Sequence, residues 1–126
     1  MKIVKSSEID WVYFDQHDMY GGLNDNLPNN EYADVMFAKI LAGHTLKKHW
    51  HSRPGKDGYE SFFFYNGADI ELIFRDNILT FHETEPFTVT FYSNEIHGIK
   101  NIGTKDLVFQ VITAPHFDEN EEHFVD

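Results

Sequence analysis

The chain has 126 residues, which fits one domain with a hydrophobic core. Its net charge of −11 disfavours binding to the phosphate backbone of nucleic acids. It has no cysteine, so disulfides and thiolate ligands are excluded and a metal ion must be held by His, Asp, Glu or water. The first residues lack the apolar core of a signal peptide, and no apolar run reaches membrane-spanning length. We therefore expect a cytoplasmic protein with neither nucleic-acid nor membrane partners.

Short apolar runs alternate with turn signals along the chain, which is typical of an all-β sandwich or barrel. Residues 19–30 are rich in Gly, Asn and Pro and are predicted to form a loop. The predicted strands are residues 11–14, 33–43, 45–51, 60–65, 69–74, 78–82, 87–92, 97–101 and 107–113. The pattern predicts an all-β, single-domain jelly roll or barrel without a convincing helix.

Two histidines stand two residues apart at the end of one predicted strand. His49 and His51 share a strand face, because side chains alternate in direction, and two neutral imidazoles so placed can chelate one divalent ion. Lys47 shares this face if the strand is regular. The motif alone is weak, and two solvent-exposed histidines are the alternative interpretation.

Two further residues strengthen the metal interpretation. Glu60 opens the strand that continues as "SFFFY", and a carboxylate beside so apolar a segment needs a positive partner. That partner is a metal ion or, alternatively, Lys47 or Arg53. His97 follows a later predicted strand and is a fourth candidate. Three imidazoles and one carboxylate match an octahedral first-row metal with two positions left open.

At these residues the sequence resembles the cupin superfamily, small jelly-roll proteins that bind a metal at the mouth of a barrel. Five residues separate Gly43 from the His-x-His pair, eight separate the pair from the Glu, and six more precede Gly67. The second motif of the family, His-x₃-Asn, matches His97 and Asn101. The resemblance covers residues 33–117 and implies a cupin-like double-stranded β-helix. It implies the metal ligands His49, His51, Glu60 and His97, and structural roles for Gly43, Gly67 and Asn101.

The sequence also departs from the family pattern. The loop of residues 52–59 is about four residues longer than usual. Turn positions that hold Gly, Pro and Gly in the family hold Pro86, Tyr92 and Asn94 here. We expect residues 33–117 to form the central barrel and residues 1–32 to pack on it. Residues 118–126 are expected to form a solvated acidic tail. Four further histidines lack a partner at metal spacing and are expected mostly at the surface: His17, His82, His116 and His123.

Four of the ten Lys and Arg residues cluster beside the histidine pair. Lys47 on the strand and Arg53 and Lys56 in the long loop are expected to attract an anionic substrate, although they could merely offset nearby acids. Gln110 interrupts an apolar strand and is a further candidate for substrate binding. Tyr92 could supply a general acid, if its phenol points toward the site.

The resemblance implies a bound divalent transition metal, Fe, Mn, Ni or Zn. It leaves the reaction open, because the family includes both enzymes and non-catalytic proteins. The leading hypothesis is an oxidoreductase of dioxygenase type that acts on a small polar, anionic metabolite at a 3-His/1-Glu centre. Lyase and isomerase chemistry are also open, and the alternative is a non-catalytic module that binds a sugar or small acid. A homodimer is expected because small cupins commonly pair.

Overall fold

The computed structural model describes residues 1–53 and 57–125. In this part of the chain no helix is long and apolar enough to cross a membrane. Short 3₁₀ turns occupy Ser6–Glu8 and Glu119–Glu121. The strands are β1 (Asp10–Phe14), β2 (Met19–Leu23), β3 (Asp34–Ile40), β4 (Thr45–His51), β5 (Tyr59–Phe64), β6 (Ala68–Phe74), β7 (Asn77–Glu83), β8 (Phe87–Tyr92), β9 (His97–Asn101), β10 (Leu107–Ala114) and β11 (Glu122–Phe124).

The strands form two antiparallel sheets. One sheet has the order β1-β2-β3-β10-β5-β8 and the other β11-β4-β9-β6-β7. The all-β prediction is therefore confirmed. Closure into a barrel would require hydrogen bonds between the edge strands of the two sheets, and none joins them among the described residues. The two facing sheets correspond to the two-sheet alternative of the prediction, and closure into a barrel is not observed among the described residues.

The hydrophobic core lies between the inward faces of the two sheets. In β5 the alternation predicted from the sequence is present, since Phe62 and Phe64 are buried while Phe63 is half-buried on the other face. β5 also lies between two other strands, as its apolar character indicated. The largest fully buried apolar side chains come from both sheets: Phe62, Phe64, Phe109, Ile40, Leu46, Ile70, Ile99 and Val111.

The predicted loop of residues 19–30 begins with a strand. β2 pairs with both β1 and β3, and its two glycines explain why it lacked a strand signature. A Cβ atom on Gly21 would collide with the ring of Phe14, and one on Gly22 would lie 2.9 Å from the Cβ of Phe37. The glycines are therefore required because aromatic side chains of the neighbouring strands cover the backbone of β2.

The C-terminal residues are not a simple solvated tail. β11 pairs with β4, in a register that sets Glu122 opposite His51 and Phe124 opposite His49. On the other face the ring of His123 stacks on Trp50 with centroids 4.2 Å apart. The acidic end of the chain thus extends the sheet that carries the histidine pair.

Candidate metal centre

Two adjacent strands of one sheet and one strand of the facing sheet bring the four predicted ligands together. β4 supplies His49 and His51, β5 supplies Glu60 and β9 supplies His97. Each offers one ligand atom, and these atoms all lie within 4.8 Å of one another. All four residues are buried, with exposed fractions from 1% to 7%. The predicted set therefore forms one compact group at the inner face of the two sheets.

A β-bulge in β4 aims the two histidines inward. Leu46 pairs with Ile99 and His49 pairs with His97, so β4 has one more residue between these pairs than β9. Leu46 and His49 consequently both face the core, although they are three positions apart in the sequence. Lys47 is exposed and does not share the face of the histidines, which corrects the expectation for a regular strand.

A glycine of β9 makes room for the bulge. A Cβ atom on Gly98 would lie 2.9 Å from the carbonyl oxygen of Leu46 and 3.3 Å from the side chain of Lys48. The backbone of β4 therefore approaches β9 at a distance that only glycine allows. Gly98 follows His97 directly, so the same segment supplies a ligand and accommodates the bulge that orients another.

Backbone carbonyl groups fix the orientation of two imidazoles. Nδ1 of His49 donates to the carbonyl oxygen of Lys47 at 2.7 Å, and Nδ1 of His97 donates to that of Glu95 at 2.9 Å. In the neutral ring of His49 the Nε2 atom then carries a lone pair, and this lone pair points into the group. Nε2 of His51 is buried without any hydrogen-bond partner in the described structure. Inward-facing imidazole lone pairs that lack donors are what a metal ion requires.

The carboxylate of Glu60 bridges two of the imidazoles. Oε1 lies 3.3 Å from Nε2 of His97, and Oε2 lies 3.6 Å from Nε2 of His51. The hydroxyl of Thr113 donates to Oε2 at 3.3 Å. Burial acts to raise the pKa of Glu60, but the hydrogen bond with His97 and the neighbouring imidazoles outweigh it and lower the pKa. The group therefore contains an ionised carboxylate.

Burial keeps the histidine pair neutral. It lowers the pKa of His49 from 6.5 to about 4, with repulsion from His97 acting in the same direction. Burial also lowers the pKa of His51. Neutral imidazoles and an ionised carboxylate are the protonation states in which these side chains bind a divalent transition metal. The residues present thus fit such an ion.

Aromatic rings surround the group. The ring of Phe91 is stacked on His97 with centroids 4.1 Å apart, and Phe62 meets His97 edge-on at 6.1 Å. Phe117 meets His51 edge-on at 6.2 Å from the C-terminal side. These rings hold the imidazoles in place and exclude water, which strengthens electrostatic interactions inside the site.

Arg53 lies at the edge of the site, as the sequence predicted for a loop residue near the ligands. Only 7% of it is exposed. Nη1 donates to Oγ of Ser93 at 3.4 Å, while Nη2 is buried without a hydrogen-bond partner in the described structure. Burial lowers the pKa of Arg53, against the opposing effect of the negative charge of Glu60. Lys56, the other loop cation, falls outside the described residues.

Strand alternation directs two candidate residues away from the site. Tyr92 is 61% exposed on the outer face of β8, while its neighbour Phe91 faces inward. Gln110 lies on the outer face of β10, between Phe37 and Phe63 of the adjacent strands. Neither side chain joins the group of four, so the expected roles as general acid and substrate contact are corrected by their direction. Thr113, which lies on the inner face of β10, reaches Glu60 instead.

The structure adds two residues that the sequence did not indicate. Oε2 of Glu122 lies 3.8 Å from Nε2 of His51 and 3.9 Å from Nε2 of His49. Oε1 of Glu122 lies 2.8 Å from Nε2 of His17, which was expected at the surface but has only 18% of its side chain exposed. No motif spacing connects these residues, since they meet only because β11 pairs with β4.

Two facing antiparallel sheets that carry three inward histidines and a glutamate define a class of small β proteins with a candidate metal site. No family model matches the chain, and no curated protein matches it in sequence. Among solved structures, a Streptomyces Pac13 variant with uridine matches with a TM-score of 0.65 and 17% identity, over 99% of this chain and 92% of Pac13. Pac13 is described as a unique nucleoside dehydratase.

Two other solved structures have the same fold. KdgF from Halomonas sp. matches with a TM-score of 0.71 and 12% identity, over 95% of this chain and 98% of KdgF. A protein from Klebsiella pneumoniae with a double-stranded β-helix domain matches with a TM-score of 0.62 and 11% identity, over 98% and 90% of the two chains. The chain therefore has a cupin-type fold, as its two motifs indicated.

Proposed function

We propose that the protein is a metal-dependent enzyme that acts on a small polar, anionic metabolite at the centre formed by His49, His51, Glu60 and His97. The observation that carries this proposal is the buried group of inward-facing Nε2 atoms and one ionised carboxylate. An idle structural site would satisfy these atoms with hydrogen bonds, whereas Nε2 of His51 has none in the described structure.

The four side chains would hold the ion through three Nε2 atoms and a carboxylate oxygen. A divalent transition metal bound there supplies a Lewis acid and, if it is redox-active, chemistry with dioxygen. The protein contributes fixed imidazole orientations, a carboxylate held by Thr113 and a wall of phenyl rings. These features keep the ligands in place and exclude bulk water from the site.

The environment of Arg53 supports the proposal that the substrate is anionic. Its guanidinium group is buried beside the site, and its Nη2 donor is unpaired in the described structure. A buried, unpaired guanidinium donor is costly unless a further acceptor binds it. A carboxylate or phosphate group of the substrate would supply this acceptor, because the planar guanidinium matches two acceptor oxygens. Lys47, which is exposed, has no part in this proposal.

The outward direction of Tyr92 favours chemistry that does not use a phenol as general acid. Dioxygenase-type chemistry fits this requirement, and it remains our specific proposal for the reaction. Pac13, with uridine bound, shows that this fold can accept a polar metabolite in another protein. The second candidate function, a non-catalytic module that binds a sugar or small acid, is also favoured by the lack of an inward Tyr92.

Oxygen consumption tests the proposed reaction. The purified protein would be loaded with Fe²⁺ and supplied with panels of small carboxylic acids, sugar acids and phosphorylated metabolites. We expect dioxygen uptake with at least one acid, and none with His51→Ala. If Fe²⁺, Mn²⁺, Ni²⁺ and Zn²⁺ all bind while no substrate of any panel is converted, the binding module replaces the enzyme.

The Arg53→Lys and Arg53→Ala variants test the anion site separately. Because a lysine cannot reproduce the bidentate geometry of arginine, both variants should raise the KM or Kd for the anionic compound. We expect a smaller effect in Arg53→Lys, which keeps the charge. Unchanged affinity for every candidate anion in both variants would exclude Arg53 from substrate binding.

A further inference from the structure

The acidic C-terminal strand places a second carboxylate against the histidine pair. We propose that Glu122 is a fifth protein ligand of the metal ion, so that the centre has three imidazoles and two carboxylates. The inference rests on the proposed metal site and extends it. In an octahedral ion it leaves one exchangeable position for substrate instead of two.

Glu122 is not one of the four residues whose ligand atoms all lie within 4.8 Å of one another, but its Oε2 lies within ligand range of the histidine pair. Two ligand atoms that each lie about 2.1 Å from one ion are about 3.0 Å apart at right angles and about 4.2 Å apart across the ion. Glu60 lies 3.3 Å from His97 and 3.6 Å from His51. Oε2 of Glu122 lies 3.8 Å and 3.9 Å from the two Nε2 atoms of the histidine pair, between the same limits.

The chemistry of the facing atoms points to a cation between them. Nδ1 of His49 donates to a backbone carbonyl, so its Nε2 presents a lone pair toward the carboxylate of Glu122. Nε2 of His51 faces the same carboxylate and has no hydrogen-bond partner in the described structure. A lone pair and a carboxylate repel each other in a buried site, and a divalent cation between them converts this repulsion into attraction.

His17 orients Glu122 toward the histidine pair. It holds Oε1 of Glu122 at 2.8 Å, which leaves Oε2 directed at the site. The ring of His17 packs edge-on against Phe14, Phe124 and His49 with centroids 4.9 to 5.9 Å apart. Metal-binding carboxylates are commonly held by such an outer hydrogen bond. His17 is therefore a positioning residue for the fifth ligand.

Backbone hydrogen bonds fix β11 on both sides of Glu122. The amide of Ser52 donates to the carbonyl oxygen of Glu121 at 2.8 Å, and the amide of Val125 donates to that of Lys48 at 3.1 Å. Only 7% of the Glu122 side chain is exposed. A buried carboxylate needs a positive partner, and the formal charge of two carboxylates balances that of one divalent cation.

Co²⁺ binding to the full chain tests the inference. Affinity would be measured by calorimetry, and the visible spectrum of the bound Co²⁺ would report the ligand set. Glu122→Gln is the test variant, because glutamine keeps the size of the side chain and can accept the hydrogen bond of His17. Glu119→Gln is the matched control, because it removes the same charge from an exposed residue of the same segment.

We expect Glu122→Gln to weaken Co²⁺ binding by at least about 10-fold and to change the spectrum, while Glu119→Gln behaves like the wild type. His17→Gln should weaken binding less and change the spectrum in the same direction. Equal spectra of wild type and Glu122→Gln would overturn the inference, whether or not affinity falls. If the wild type itself binds no Co²⁺, Fe²⁺, Mn²⁺, Ni²⁺ or Zn²⁺, the proposed metal site is wrong and the fifth ligand with it. Metal binding by the wild type with no spectral effect of Glu122→Gln would instead overturn the fifth ligand alone.

Discussion

Nδ1 of His49 donates a 2.7 Å hydrogen bond to the carbonyl oxygen of Lys47, two residues earlier in the same strand. The acceptor residue lies within the β-bulge between Leu46 and His49, and His97 makes the same kind of contact with the carbonyl oxygen of Glu95 at the start of β9. The hydrogen bond fixes the tautomer of a candidate ligand, and the bulge turns Lys47 out to solvent.

Gly98→Ala should damage the bulge and the site together. The new Cβ would lie 2.9 Å from the carbonyl oxygen of Leu46, and backbone atoms cannot move away as a flexible side chain can. We expect a loss of about 1–3 kcal/mol in the free energy of unfolding, measured by urea denaturation, and weaker metal binding by calorimetry.

Gly43→Asn provides the control for this substitution. Gly43 has φ of +81° with no atom within 4 Å of a Cβ at that position, and asparagine tolerates this conformation. Stability and metal affinity should change little. Equal effects of the two substitutions would show that the close approach at Gly98 does not matter.

Metal content should depend on the buried histidines and not on exposed ones. His51→Ala and His97→Ala each remove a ligand, so affinity should fall by more than about 100-fold, the upper range for losing an outer-shell partner. His82→Ala is the control, since His82 is exposed and pairs with Asp69 on the surface. Elemental analysis after dialysis measures the result, and an equal metal content in all proteins would contradict the site.

The four-residue group could be predicted because the histidine pair is a local signal and the resemblance to the two cupin motifs implies Glu60 and His97 as its partners. Strand alternation and the spacing of His49, His51, Glu60 and His97 are readable without any knowledge of pairing. The glycines of the first motif were also correctly expected at turns, since Gly43 and Gly67 both have positive φ. Asn101 ends β9, and its amide donates to the carbonyl oxygens of Ile40 and Lys105.

The rest of the site depends on contacts that the sequence does not specify. Lys47 was wrongly predicted to share the face of the histidines, because a bulge shifts the alternation of side chains by one residue. The sequence of β4 itself contains no signal for this bulge. Tyr92 and Gln110 point outward because their strands fix which alternate residues face the core. Glu122 joins the site only through the pairing of β11 with β4, which joins segments about 70 residues apart.

Thr113→Val should weaken metal binding without disturbing the fold. The substitution removes the hydroxyl that donates to Oε2 of Glu60 at 3.3 Å, so the carboxylate loses an outer partner. We expect affinity to fall by roughly 10-fold, measured by competition with a chelating dye. Thr90→Val is the control, because Thr90 bonds Ser61 on the exposed face of the same sheet. Equal affinities in the two variants would mean that Thr113 does not support Glu60.

The metal-free protein should lose stability as the pH falls from 6.5 toward 4. Burial lowers the pKa of His49 from 6.5 to about 4, so over this interval the unfolded chain binds a proton that the folded chain does not. Stability then falls with decreasing pH by up to about 1.4 kcal/mol per pH unit for each such proton. Urea denaturation in the presence of EDTA measures this slope. His49→Gln should show a shallower slope, because it cannot take up the proton, and an unchanged slope would show that His49 is not held neutral by burial.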